Sequence, residues 1–134
     1  MKKEKVVFKR LLIISFVFNC LSTFYSFFFT PEEINKINNS LLPNISEELG
    51  YILIVILILA VLINFCSYFF LYKFKKIGKL LFIVPIFISS LIQLFMPTAS
   101  DGPQLLLNYV VYLTDGGIIT LMYFTNISKE FDKK

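Results

Sequence analysis

The sequence predicts an all-α fold: a polytopic membrane protein made of one integral membrane domain, residues 1–134, in which four transmembrane helices form an up-down bundle. Three observations predict it. The chain is 57% hydrophobic and only 16% charged, so its apolar share exceeds that of an ordinary soluble domain. Four apolar runs, Leu11 to Phe29, Tyr51 to Tyr72, Leu80 to Met96 and Leu105 to Phe124, each come close to the roughly 20 residues a helix needs to cross the hydrocarbon. Finally, the basic residues alternate in step with those runs. Lys2, Lys3, Lys5, Lys9 and Arg10 precede the first; Lys73, Lys75, Lys76 and Lys79 join the second to the third; Lys129, Lys133 and Lys134 follow the fourth. The other two joints hold only Lys36, beside Glu32, Glu33, Glu47, Glu48 and Asp101. This bias predicts an N-in/C-in topology, with both termini and the middle joint in the cytoplasm, and four crossings demand the same parity.

The elements follow in order. The first helix is expected at about residues 8–29. Its apolar part is too long for a signal peptide and no small-x-small cleavage site follows, so it is expected to stay as an uncleaved span. Residues 30–43, TPEEINKINNSLLP, predict a short helix over about 31–42 in the first outer loop, capped by Thr30, started by Pro31 and boxed by Glu33. Ile34, Ile37 and Leu41 share one face of it, as an interfacial helix requires. Asn44 and Glu47 are placed to cap the second span, about 50–72. The third, about 78–97, holds Pro85, which removes a backbone donor and bends the helix. The turn PTASDGP then leads to the fourth, about 104–126.

The fourth span carries the feature that needs explaining, Thr114-Asp115-Gly116-Gly117 at mid-helix. Asp-Gly is a turn signal in soluble chains, but a re-entrant hairpin would put the basic tail outside, so a continuous helix, locally unwound at the glycines, is expected. At about 100° per residue Gln104, Asn108, Tyr112, Asp115, Tyr123 and Asn126 fall along one side of it. Weaker polar stripes run along the others: Ser15, Asn19, Ser22 and Ser26; Ala60, Asn64 and Ser67; Ser89, Ser90 and Gln93. At a rise of about 1.5 Å per residue, Asn19, Asn64, Ser89, Ser90 and Asp115 lie roughly 13 to 20 Å from the basic ends, near the middle of a core about 30 Å thick. One hydrogen-bonded layer around Asp115, with a contribution from every span, is the expectation.

No Lys or Arg lies inside any of the four apolar runs, and an ionised carboxylate without a partner at mid-membrane costs about 2.5 to 3.5 kcal/mol. Asp115 is therefore expected in its protonated form, hydrogen-bonded to an amide or hydroxyl, unless water, a cation or a partner reaches it. Three roles stay open for it: a proton or cation site, a docking group for a basic residue of another protein, or a structural hydrogen bond. The candidate binding residues are Asp115, Asn19, Asn64, Gln93, Asn108 and Tyr112, and Gly116 and Gly117 are candidate helix contacts that admit a close neighbour.

No catalytic residue, metal site or cofactor is predicted. The chain has no histidine, its two cysteines, Cys20 and Cys66, form no CxxC pair, and only one carboxylate falls inside a span, so enzyme chemistry built on paired acids, His or a dithiol lacks its parts. The formal charge of +4 reads as a topology signal and an attraction to anionic lipid; no nucleic-acid partner is expected. Scarce alanine and abundant Lys, Asn, Ile and Phe fit an AT-rich bacterial genome, and the glycosylation-like Asn38-Asn39-Ser40 and Asn44-Ile45-Ser46 then carry no meaning.

The tail YLTDGGIITLMYFTNISKEF resembles the end of small, functionally uncharacterised bacterial four-helix membrane proteins that share an aspartate-glycine, a tyrosine-phenylalanine pair and a basic stretch with phenylalanine. The resemblance implies a bacterial cytoplasmic (inner) membrane and no particular activity. In architecture the chain is also similar to four-helix immunity proteins that protect producers from pore-forming bacteriocins. The leading expectation is a non-catalytic protein that binds the bilayer and a membrane protein partner, with immunity to a membrane-inserting toxin as its most concrete form. The alternatives are a homo-oligomeric transporter or channel subunit using Asp115, and an accessory or assembly subunit of a membrane complex.

Overall fold

A computed structural model describes residues 2–41, 47–95 and 98–132. Among these residues all regular structure is helical: α1 (Lys2–Phe28), α2 (Glu32–Leu41), α3 (Glu47–Tyr72), α4 (Lys76–Phe95), α5 (Gly102–Phe124) and a 3-10 turn, Asn126–Glu130. Four helices, α1, α3, α4 and α5, are long and apolar enough to cross a membrane, which suggests an integral membrane protein. Each starts two to six residues before its sequence-read boundary (8, 50, 78 and 104) because lysines, glutamates and Gly102 continue the helix past the apolar run. A charged residue has good helix propensity; only its depth in lipid is limited.

The principal packing is pairwise, α1 along α5 and α3 along α4, with α1 bridging to α3. The α3–α4 turn fixes one pair. Phe74 takes the left-handed conformation (φ 53°), the Phe74 amide donates to the Leu71 carbonyl (2.9 Å) and the Lys75 amide to that of Phe70 (2.9 Å). This pair of bonds closes a helix as a Schellman motif, where glycine is the usual left-handed residue. Phenylalanine accepts the strained backbone because its ring stacks on Phe8 and meets Phe131 edge-on, at 5.5 and 5.4 Å between centroids. Gly78 lets α4 return against α3: a Cβ there would lie 2.8 Å from the Leu71 amide nitrogen.

The carboxy-terminal turn was not anticipated. Thr125 is extended (φ −122°, ψ 174°); its hydroxyl donates to the Leu121 carbonyl and accepts from the Ile127 amide, so one residue ends α5 and caps the next turn. The chain thereby folds Ile127 and Phe131 into a core with Phe8, Leu12, Tyr68, Leu71, Phe82, Ile118 and Met122. Beside it Lys5 pairs with the buried Glu130 at 2.6 Å, and Lys79 lies 4.7 Å from the Phe131 ring. The amino terminus, the α3–α4 turn and the carboxy-terminal segment thus meet at one end, here termed the basic end.

Two further expectations change. Thr30 does not cap α2: its hydroxyl donates to the Ser26 carbonyl (2.8 Å), satisfying an orphan acceptor at the end of α1. α5 is the continuous helix expected, but without the local unwinding: it runs unbroken through Gly116 and Gly117, neither with positive φ. The cap proposed at Asn44, the acceptor-like Asn44-Ile45-Ser46 and Pro97 of the outer turn lie outside the described residues.

Candidate functional site

Burial divides the bundle in two. No described residue of α1 after Ser15, of α3 before Ala60, of α4 after Pro85 or of α5 before Val111 is buried. The basic half is a packed core; in the far half polar contacts join α1 to α5, and Asp115 sits where the two halves meet.

Asp115 is 8% exposed. Its Oδ1 accepts a hydrogen bond from Ser15 Oγ. Ser15 Oγ also lies 2.7 Å from Tyr68 Oη, and Asn19 Nδ2 donates to Tyr68 Oη at 2.8 Å. A hydroxyl has one proton to give. With that of Ser15 given to Asp115, Tyr68 must donate to Ser15, so the chain runs in one direction, from Asn19 through Tyr68 and Ser15 to the carboxyl group. Three helices supply it. The helical period brings this about: Ser15 and Asn19 are one turn apart on α1, and Tyr68 lies one turn past Asn64 and two past Ala60 on the same face of α3.

The expected layer from all four spans does not form. Asn64 Oδ1 is buried without a hydrogen-bond partner among the described residues, and Ser90 bonds back to the Ile86 carbonyl of its own helix at 2.8 Å. Among the described residues no side-chain hydrogen bond ties α4 to another helix. The cause is a gap. Asn64, Ser89, Gln93, Tyr112 and Gly116 line, with Asp115, a cavity of about 350 Å³ between the two helix pairs.

A second cavity of about 310 Å³ continues toward the far end and shares Gln93 and Tyr112 with the first. Its walls are polar. Ser22 Oγ donates to Asn108 Oδ1 at 2.7 Å and accepts from Gln104 Nε2 at 3.1 Å; Tyr25 Oη donates to Asp101 Oδ2 at 2.7 Å. Asp101 is also the N-cap of α5, accepting from the Gln104 amide at 3.0 Å. Over the mouth, Asn38 of α2 pairs with the backbone of Ala99 in both directions, donating at 3.3 Å and accepting at 2.6 Å. The two cavities form one cleft from the far end to mid-bundle, with Asp115 at its floor.

No protein-family model matches the chain, and no known protein or solved structure compared with it is similar. The site therefore rests on its geometry.

The structure gathers all six candidate binding residues around this cleft: Asp115, Asn19 and Asn64 at its inner end, Gln93 and Tyr112 where the cavities join, Asn108 on the wall. The glycines part company. A Cβ on Gly117 would stand 3.7 Å from the Leu11 side chain, an ordinary contact, while one on Gly116 would meet nothing within 4 Å. Gly116 is thus no close helix contact; its face borders the cavity. Tyr68 is the participant that sequence reasoning missed. It sits in the run Cys66-Ser67-Tyr68-Phe69-Phe70 and reads there as one more apolar aromatic, although the spacing Ala60, Asn64, Ser67, Tyr68 already puts it on the polar face. Cys20 and Cys66 are free thiols.

Proposed function

We propose that the chain is a non-catalytic integral membrane protein that receives a membrane-embedded partner in the cleft between its two helix pairs, with immunity to a membrane-inserting toxin as the concrete form. The proposal includes a bacterial cytoplasmic membrane, cytoplasmic termini, and α2 lying on the outer surface as an interfacial helix. One observation carries it: at membrane depth the cleft presents Gln93, Tyr112, Asn64 and Asp115, polar groups that the chain's own packing leaves facing a space. Polar groups facing a gap between helices are what a partner helix or peptide would satisfy.

The transporter reading draws on the same depth of polar lining. The floor favours binding over passage: on the basic side of Asp115 the side chains of Leu71, Phe82, Ile118 and Met122 are fully buried, leaving the cleft open toward one end.

The test is protection. Cells expressing the chain survive a membrane-inserting toxin encoded beside its gene, and Gln93→Leu or Asn64→Leu, each kept at wild-type membrane level, lowers that protection at least tenfold. Unchanged protection in both variants removes the cleft from the function, and a deletion phenotype in cells that never meet such a toxin removes immunity. A pH-dependent flux that Asp115→Asn abolishes would instead establish the transporter.

A further inference from the structure

We infer that the cleft is a site for a monovalent organic cation that donates hydrogen bonds, an ammonium or guanidinium group seated beside Asp115. The inference rests on the reading of the cleft as a binding site and adds the chemistry of what enters it. The lining is one-sided. Among the described residues neither cavity has a lysine or arginine in its wall, whereas Asp101 and Asp115 stand at the two ends of the cleft. Two amide oxygens along it, Gln104 Oε1 and Asn64 Oδ1, are buried acceptors with no donor among the described residues. A buried acceptor is satisfied by an incoming N–H or O–H, never by an anion.

The count of carboxylates sets the charge of the guest. Asp101 is committed to the Tyr25 hydroxyl and the Gln104 amide, which leaves Asp115 as the acid at the floor. Among the described residues no three Asp, Glu, Cys or His side chains gather, so a divalent metal, which takes several carboxylate, thiolate or imidazole ligands, finds no such set. One acid with neutral amide oxygens suits one positive charge bearing several N–H groups. Tyr112 lines both cavities, and a ring beside the path adds attraction for such a cation. The lower cavity, about 350 Å³, holds an ammonium or guanidinium with a short alkyl stem. Either a lysine or arginine of a partner helix or a free small amine supplies that group.

Gly116 gives the reporter, since a side chain there enters open space. With Cys20→Ser and Cys66→Ser removing the native thiols, Gly116→Cys in neutral-lipid nanodiscs is labelled with methanethiosulfonates bearing ethylammonium, hydroxyethyl or ethylsulfonate groups. Asn39→Cys, on the exposed side of α2, is the reference. The expected result is a rate ratio of ammonium to sulfonate reagent about tenfold higher at Gly116→Cys than at the reference, as field focusing in a cleft produces, and a return to the reference ratio on adding Asp115→Asn. A ratio equal to the reference, or one that Asp115→Asn leaves unchanged, overturns the cation site while the cleft stands. Failure of every reagent at Gly116→Cys and at Gln93→Cys, with Asn39→Cys reacting, shows a closed cleft and sinks the binding reading too. Two competitors identify the source. Slowing by n-butylammonium assigns a free amine; slowing only by a transmembrane peptide with a central lysine, and not by its norleucine analogue, assigns a partner side chain. A charge preference that neither competitor reduces means a field without a seat, and overturns the site.

Discussion

The two halves of the bundle are built from the same four helices and held by different forces. At the basic end the helices lock through shape: Phe8, Phe74 and Phe131 meet pairwise at 5.4 to 5.8 Å, and Leu71, Phe82, Ile118 and Met122 are fully buried. At the far end polar contacts join α1 to α5 and its cap, Ser22 to Asn108 and Tyr25 to Asp101, and α2 to Ala99 through Asn38, while α4 carries no such bond among the described residues. In lipid, association between helices gains little from apolar contact as such and depends on close packing and on hydrogen bonds. A chain that uses packing at one end and hydrogen bonds at the other obtains a rigid base and an end that can admit something. The cleft follows from that division.

Truncation at the base tests the division most severely. Phe8 is fully buried, so Phe8→Ala leaves a cavity and is expected to cost about 3 to 5 kcal/mol of unfolding free energy in mixed micelles. Phe24, half exposed on the far part of the same helix, is the matched control, with Phe24→Ala costing under about 1 kcal/mol. Equal costs would show that the far end is packed as tightly as the base.

A pair of glycines sharpens the comparison with opposite signs. Gly78→Ala drives a Cβ to 2.8 Å from the Leu71 nitrogen, and because the obstacle is backbone the helices must part, at about 1 to 3 kcal/mol. Gly116→Ala meets nothing and replaces glycine inside a helix, so it is expected to stabilise by about 0.5 to 1 kcal/mol. Thermal unfolding in one detergent reads both, and a destabilising Gly116→Ala would mean that the cleft is filled in the unliganded protein.

Hydropathy and lysine placement made the four long helices legible, because those signals are local in sequence. The inward face of α5 was legible in part: the period aligns Gln104, Asn108 and Asp115, which meet α1, but the buried stripe is Val111, Asp115, Ile118 and Met122, and Tyr112 and Tyr123 of the polar side are exposed. What stayed hidden depends on how helices pair. Each polar stripe says that a face seeks a neighbour and not which neighbour, so one closed layer was expected where α1 and α5 share bonds and α4 stands off across a gap. Tyr68 hid among phenylalanines because an aromatic ring reads as apolar until its hydroxyl finds Ser15. The turn after Thr125 hid because one threonine serves as both stop and start.

The smallest effect separates the two polar networks. Ser15 and Ser22 lie two turns apart on one face of α1, and each joins that helix to α5. Ser15→Ala takes the donor from Asp115 and the acceptor from Tyr68 inside the buried layer. Asn19 still serves Tyr68, but the carboxyl group loses the bond that oriented it, and water reaches it only through the cleft. That loss is expected to cost about 1 to 2 kcal/mol. Ser22→Ala frees Asn108 and Gln104, which both border the outer cavity, so water replaces the hydroxyl and the cost falls to about 0.6 kcal/mol, the average for a hydrogen bond between membrane helices. Unfolding midpoints of the two variants, measured side by side, give the order. If Ser22→Ala costs as much as Ser15→Ala, the outer cavity excludes water, and the far end holds its helices as firmly as the base.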